Sequence, residues 1–335
     1  MNFGIRFIEN LGTVPEIVRF SQQAEQAGFD YVWYPHDIFM KNTWVVTAAV
    51  AQATNRIKIG NVGTNPYTTN PAEIASYLAT LDELSGGRAV IGIGLHTYDM
   101  VEWAGVDCHD ILQVTRDTIS LIRRLLRGDV VDHHSPNFQW SEQCYLRFKP
   151  VRPQIPIYIC AFGEDFLALS GEIGDGSLPM ITPPASASRM VTAIKKGQSK
   201  RTTDGPFDIA GCAWLSISED GQEAENVMRS MIAYFGPYLE EDALATIGLK
   251  TADFDDIRHL ILQKDYEKAQ QAVSKDMLKL GLTGRPHDII EQIEELQDAG
   301  ITQVNLGGPI GPDVKNAIEL LGEKILPHFT HSRHM

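Results

Sequence analysis

The sequence is poor in cysteine, poor in positive charge and without a long apolar run. Its four cysteines, Cys108, Cys144, Cys160 and Cys212, lie far apart with no CxxC pair. That argues against a disulfide framework and against a thiolate metal centre, and it suits reduced thiols. The histidines do not supply the missing ligands: His133 and His134 are adjacent, His328, His331 and His334 gather near the end, and neither group has metal spacing. No metal is expected. Lys and Arg number 29 against 43 Asp and Glu, a formal net charge of −14. This is the wrong sign for neutralising phosphates, so no nucleic-acid partner is expected. No apolar stretch approaches a membrane span, and the opening "MNFGIRFIEN" has no apolar signal-like core. A cytoplasmic chain with no membrane partner is the expectation. A GxGxxG fingerprint after the first strand-like segment is also missing, which weakens an open dinucleotide-binding sheet without excluding a doubly wound fold.

What remains is ample for a core. The chain has 335 residues, 43% of them hydrophobic and 21% charged, enough for one large barrel or two ordinary domains. Short β-rich segments alternate with helical ones. "NFGIRFI" leads to "VPEIVRFSQQAEQAG", whose helical spacing stops on Gly28. "DYVWY", "IKIG", "AVIGIG", "PIYIC", "GSLPMI", "DIAGCAWLSIS" and "TQVNLGG" follow, each with a helical segment after it, directly or after an insertion. Strands separated by helices pair in parallel through right-handed crossovers. Eight such units predict an α/β fold of the (β/α)8 barrel type, one domain spanning residues 1–335. Two stretches exceed ordinary connections: 128–154 reads as a hairpin-like excursion after strand 4, and 218–282 as a polar helical insertion before the last β/α unit.

Barrels carry their chemistry on the loops after the strands. The candidates are therefore Arg6 and Glu9 after strand 1, His36 and Asp37 after strand 2, and Asn61, Val62, Gly63 and Thr64 after strand 3. His96, with Tyr98 and Asp99 beside it, follows strand 4, where an acid–base group is plausible. In "FGIRF", Phe3, Ile5 and Phe7 share one face, which leaves Gly4 and Arg6 on the other. The apolar face meets the helices, so Arg6 points into the barrel, where it requires a carboxylate such as Glu9 or Asp37, or an anion on a ligand. The same alternation sets Gly92 and Gly94 on one face, either for tight packing or as clearance for a ring. His36 and Asp37 are adjacent and face opposite ways. "CAFGED" opens a helix, and the backbone N–H groups of Ala161, Phe162, Gly163 and Glu164 suit a phosphate, although the Glu164 carboxylate competes for the same dipole end. "IKIGNVGTNPYTTNP" has more glycine, Asn-Pro and threonine than a surface turn requires.

Together, "FGIRF", "AGFDYVWYPHD", "IKIGNVGTNPYTTNPAEIASYLATLDELSGGRAVIGIG" and "IPIYICAFGEDFLALSGEIGDGSL" resemble the bacterial-luciferase-like flavin and deazaflavin superfamily. The likeness is greatest to coenzyme F420-dependent methylenetetrahydromethanopterin reductases, and it returns at "TGRPHDIIEQIEELQDAGITQVNL". The resemblance implies a luciferase-like barrel, a homodimer or larger oligomer, and a cofactor at the C-terminal mouth. It also implies a non-prolyl cis peptide backing the deazaflavin ring, matching Val62-Gly63. Phosphate contacts then fall on Ala161, Phe162 and Gly163, and ring-edge contacts on His36 and Asp37. Three positions depart from the family's pattern. Arg6 stands where the reductases carry an acid, Thr97 where they carry an aspartate, and Pro35-His36-Asp37 reverses the usual Asp-His order. The leading expectation is an F420-dependent oxidoreductase that transfers hydride to or from a small organic substrate. His36, Asp37, His96 and Glu9 are its candidate proton-transfer groups, and Arg6 is its clamp for an anion. The alternatives are an FMN-dependent monooxygenase and a cofactor-binding protein that has lost catalysis.

Overall fold

The computed structural model describes residues 1–8, 12–94, 98–203, 205–239 and 241–330. In chain order its strands are β1 (Asn2–Arg6), β2 (Tyr31–Pro35), β3 (Lys58–Thr64), β4 (Ala89–Ile93), β5 (Val131–His134), β6 (Gln139–Cys144), β7 (Ile157–Ala161), β8 (Gly176–Pro179), β9 (Asp208–Ile217), β10 (Gly281–Gly284) and β11 (Gln303–Ile310). Eight of them close a parallel barrel in the order β1-β2-β3-β4-β7-β8-β9-β11, with β11 pairing back onto β1. The first eight helices are α1 (Val14–Ala27), α2 (Thr43–Ala53), α3 (Pro71–Ser85), α4 (Tyr98–Trp103), α5 (Ile111–Leu126), α6 (Gly163–Ile173), α7 (Pro184–Gln198) and α8 (Gly221–Phe235).

Local chemistry sets the helix ends. Thr13 and Glu16 form a capping box on α1, and Gly28 ends it at φ 103°, a conformation that glycine adopts without a Cβ penalty. Part of "TNPYTTNP" has the same kind of explanation. Asn65 Oδ1 accepts from the Tyr67 N–H at 2.8 Å, and Asn70 Oδ1 accepts from the Ala72 N–H at 2.9 Å, capping α3 with Pro71 in its first turn. Asn and Pro at these places are turn and cap residues.

Strand alternation divides the molecule into two apolar layers. Phe3, Ile5, Phe7, Val32, Ile59, Ile91 and Leu306 face outwards into the core shared with the helices. A fully buried aliphatic side chain of this kind contributes about 1.5–3 kcal/mol. Tyr31, Trp33, Val62, Val90, Tyr158, Cys160, Leu178, Met180 and Cys212 fill the barrel itself. Trp33 occupies the axis because Gly60 lies beside it; a β-carbon there would come 2.3 Å from the indole. The N-terminal end is tied by polar contacts: Tyr158 Oη donates to Asp208 Oδ2 at 3.0 Å, Gln303 Nε2 donates to the same oxygen at 2.6 Å, and Trp33 Nε1 donates to Gln303 Oε1 at 3.2 Å. The bottom of the barrel is thus a packed plug, and the open end is the other one.

The excursion at 128–154 contains the antiparallel hairpin β5–β6. The stretch 218–282 is helical, as its sequence reads, but is not polar throughout. Besides α8 it holds α9 (Glu241–Ala245), α10 (Asp255–Leu262) and α11 (Tyr266–Ala272). These gather an apolar cluster of their own, with Met228, Ile232, Leu244, Phe254 and Ile257 around Trp214. The end of this stretch adds β10, parallel to the upper half of β9, a strand too short and too rich in glycine to be read from its pattern. Strands β8 and β9 pair only at Gly176–Asp208 and Ser177–Ile209, so the insertion packs where the barrel wall parts. The chain then continues through α12 (Pro286–Asp298) into β11. Among the described residues, no helix is long and apolar enough to cross a membrane.

Candidate active site

The C-terminal mouth is built by the ends of β1, β2, β3, β7 and β11. Strand β3 is irregular here: its register with β4 shifts between Asn61 and Thr64, and the Val62-Gly63 peptide is cis, at the bond that the resemblance singles out. The His36 N–H donates to the Val62 carbonyl at 3.2 Å, and the Gly94 N–H donates to the Thr64 carbonyl at 3.1 Å, so β2 and β4 hold the irregular segment on both sides. Val62 faces the barrel interior. Asn61 and Thr64 are buried, and among the described residues their side-chain polar atoms have no hydrogen-bond partner, which is costly for groups removed from water.

Glycine in β4 serves packing. A β-carbon on Gly92 would lie 2.9 Å from Cys160 Sγ, and one on Gly94 2.7 Å from the Cys160 carbonyl oxygen. The room that these residues leave is filled by β7, so ring clearance at Gly94 is not what the structure shows. Cys160, which the sequence reading used only in counting thiols, is the hub of this wall. Its side chain meets Gly63 and Gly92, and it lines the cavity described below.

His36 and Asp37 face opposite ways, as strand alternation requires. The His36 ring stacks edge-on against Trp44 of α2, with centroids 6.1 Å apart. Its ring therefore packs towards the helix layer, beside Trp44. Burial pushes its pKa below 6.5, and its own backbone and Asp37 pull the other way. Its Nδ1 is buried without a partner. Asp37 follows on the opposite side of the chain by the same alternation.

Arg6 reaches into the barrel and is only 4% exposed. Its Nε is buried without a hydrogen-bond partner. The pairing with Asp37 that the sequence allowed is not formed. Among the described residues, no carboxylate lies within ion-pair distance of Arg6. Glu9, His96 and Thr97 lie outside the described residues.

At the far side of the mouth, α6 begins at Gly163 with no side chain capping its first turn. The unpaired N–H groups of such a terminus attract anions. Gly163 has φ 71°, and a β-carbon there would meet nothing within 4 Å, so the turn opens onto free space. That space is a cavity of about 260 Å³ lined by Ile111, Leu112, Cys160, Phe162, Gly163, Glu164, Asp165 and Phe166. Ala161 is not part of this lining; it ends β7, and its carbonyl accepts from the Met180 N–H at 3.1 Å. Asp165 takes its place, and Glu164 adds a second carboxylate, with Arg189 4.0 Å away.

A closed parallel eight-strand barrel with its packed plug at one end and a cavity at the C-terminal strand ends describes a class, and sequence comparison agrees. The chain belongs to the luciferase-like monooxygenase family, matched over residues 3–303. It is 34% identical over 334 residues to the 5,10-methylenetetrahydromethanopterin reductase of Archaeoglobus fulgidus, covering 98% of this chain and 99% of that one. It superposes on the coenzyme F420 dependent tetrahydromethanopterin reductase from Methanopyrus kandleri with a TM-score of 0.92 at 30% identity, covering 98% and 99% of the two chains. An F420-dependent secondary alcohol dehydrogenase, solved with an F420-acetone adduct, shares the fold at a TM-score of 0.80 and 22% identity, covering 97% and 98%.

Proposed function

We propose that this chain is an F420-dependent oxidoreductase that transfers hydride between the deazaflavin and a small organic substrate. The class, oxidoreductase, is that of the reductases to which it is related along its whole length. The observation that carries the finer reading is the full-length likeness to an F420-dependent reductase, together with an uncapped α6 terminus opening onto a cavity. The residues fit such a cofactor at two places. The first turn of α6, which begins at Gly163, offers N–H donors to a phosphate, and the cavity of about 260 Å³ suits a phosphate-bearing tail better than a whole cofactor, since pockets that engulf drug-sized ligands run to about 300–1,000 Å³. The β3 bulge offers a wall at Val62 and Gly63, which face the barrel interior, while Asn61 and Thr64 lie in register with the outward-facing Ile91 and Ile93.

When bound, the deazaflavin supplies a carbon that gives or takes hydride. The protein then has to orient, exclude water and move a proton. Val62, Met180 and Trp33 form a dry floor beneath the mouth. Asp37, beside His36 after β2, is the proton-handling group of this reading. His36, neutral and wedged against Trp44, fixes the β2 loop beside the bulge. Reduction of methylenetetrahydromethanopterin is the reaction of the named relatives. Arg6, a cation in the barrel mouth, supports a different substrate. The FMN-dependent monooxygenase alternative has the family description in its favour. Purified protein loaded with reduced F420 and offered carbonyl, imine and enone substrates tests the proposal by the return of the oxidised deazaflavin absorbance. Oxygen consumption with reduced FMN, without such turnover, overturns it.

The assembly we propose is a homodimer or larger, formed through α2 and α3. Val45 is 63% exposed, Tyr77 41% and Leu84 42%, and Trp44 of α2 stacks on Tyr77 of α3 at 5.0 Å between centroids. A second copy covering its own equivalent patch buries these side chains on both sides at once.

A further inference from the structure

The barrel mouth contains a cation that, among the described residues, no carboxylate pairs. Arg6 ends β1 with its side chain on the axis side, and its β11 neighbour in register is Gly307. A β-carbon on Gly307 would fall 2.6 Å from Arg6 Nε and 3.0 Å from Nη2. The guanidinium therefore lies in the space that a side chain at 307 would take. The other polar groups of the barrel interior here come from three other strands. Cys160 of β7 and Cys212 of β9 are both fully buried thiols, and burial, opposed by the Arg6 charge, raises their pKa values. Asn305 of β11 donates from Nδ2 to Cys212 Sγ at 3.4 Å, while its Oδ1 has no partner. None of these neutralises an arginine. Asp37 forms no ion pair with Arg6.

An ionised group withdrawn from water without a partner costs several kcal/mol, and guanidinium cannot escape by losing its proton. Proteins keep such a group when a ligand completes it. Arginine presents donors in a fork that matches carboxylate oxygens, and it does so more selectively than lysine. Cys160, which like Arg6 belongs to the barrel interior, also lines the cavity at α6.

We propose that Arg6 is the specificity-determining residue of the substrate site, and that the substrate presents to it a negatively charged oxygen, as a carboxylate does. The proposal rests on the oxidoreductase reading of the same site and narrows the substrate class to anions. A substrate that is itself a cation, such as an iminium, is disfavoured beside this guanidinium by like-charge repulsion. Gly307 belongs to the same device, because it vacates the space in which the guanidinium lies.

The test uses the intact protein and sodium acetate as the probe carboxylate. Acetate added to the cofactor-free protein at constant ionic strength is expected to shift the ¹H–¹⁵N resonance of Arg6 Nε in a saturable way, and Arg6→Met is expected to abolish the saturable response. The melting temperature of cofactor-free Arg6→Met is expected to equal or exceed that of the parent, since no carboxylate among the described residues pairs with this arginine. F420 affinity, measured separately by fluorescence, is expected to change less than twofold. A native protein whose Arg6 resonance ignores acetate overturns the proposal without recourse to any variant. A marked fall in melting temperature, or failure of Arg6→Met to fold, overturns it by showing a structural pair. Weakening of F420 by about tenfold or more, the size expected for hydrogen bonds to a charged group, overturns it by assigning the anion to the cofactor. If neither protein binds F420 while acetate still titrates Arg6, the cofactor reading fails and the anion site stands.

Discussion

Gly63 and Cys160 touch across the barrel mouth: a β-carbon on Gly63 would lie 2.9 Å from Cys160 Sγ and 3.0 Å from its Cβ. The Gly94 carbonyl, 3.2 Å from the same point, closes the third side. Strands β3, β4 and β7 are therefore locked together by what Gly63 lacks. Gly63→Ala is expected to destabilise the protein by about 1–3 kcal/mol, the usual cost of overpacking a filled core. Adding Cys160→Ala removes the sulfur contact, so the double variant should recover part of that loss. Urea unfolding of the four proteins in the cycle measures the coupling; additive effects contradict the contact.

His36 provides a pH test. Its imidazole is held below 6.5, first by burial. As pH falls below 6.5 the unfolded chain takes up this proton before the folded one does. The unfolded state then binds more protons, and stability drops with falling pH until the folded pKa is passed. The contribution is fully present above 6.5 and is lost going down from there. His36→Gln is expected to flatten that part of the profile relative to the parent, and the ring resonances of His36 should titrate below 6.5. Titration at or above 6.5 contradicts the buried, neutral placement against Trp44.

Glu164 stands at the positive end of α6 and lines the cavity there. A carboxylate near this terminus competes with any phosphate for the same N–H groups. Glu164→Gln is expected to tighten F420 binding about two- to fivefold at low salt, since a charge at a helix terminus is worth about 0.3–1 kcal/mol. The gain should shrink as ionic strength rises. No change at low salt, or weaker binding, places the phosphate elsewhere.

The proposed interface is tested by Val45→Asp combined with Leu84→Asp. Both positions are exposed and contribute nothing to the barrel core, so the fold should survive while association fails. Light scattering is expected to give at least a dimer for the parent and a mass near 37.2 kDa for the double variant. A parent that is already monomeric at micromolar concentration contradicts the interface.

Much of this was legible in the sequence, and the reasons are specific. The barrel followed from eight β/α units because alternation and the 3.6-residue period survive in segments such as "FGIRF" and the helix ending on Gly28. Arg6 was placed inside by the same alternation. In "TQVNLGG" the same alternation sets Asn305 and Gly307 on the inner face as well. Strand β10 was missed because four residues with two glycines carry no periodic signal. The identity of the atoms filling a gap is a tertiary fact: Gly94 reads equally as clearance or as packing until β7 is seen to supply Cys160. The same holds for His36, whose direction follows from alternation but whose partner, Trp44, sits on another element.

The central claim is the cofactor. Equilibrium titration of the purified protein with F420 and with FMN, followed by the melting temperature at equal free concentrations of each, tests it most directly, because a ligand that binds the native state raises stability by mass action. The account predicts a larger rise with F420, and a loss of that advantage when Gly163 is replaced by valine, whose branched side chain disfavours φ 71°. An equal or larger rise with FMN contradicts the F420 assignment and leaves the barrel standing as the scaffold of a flavin enzyme.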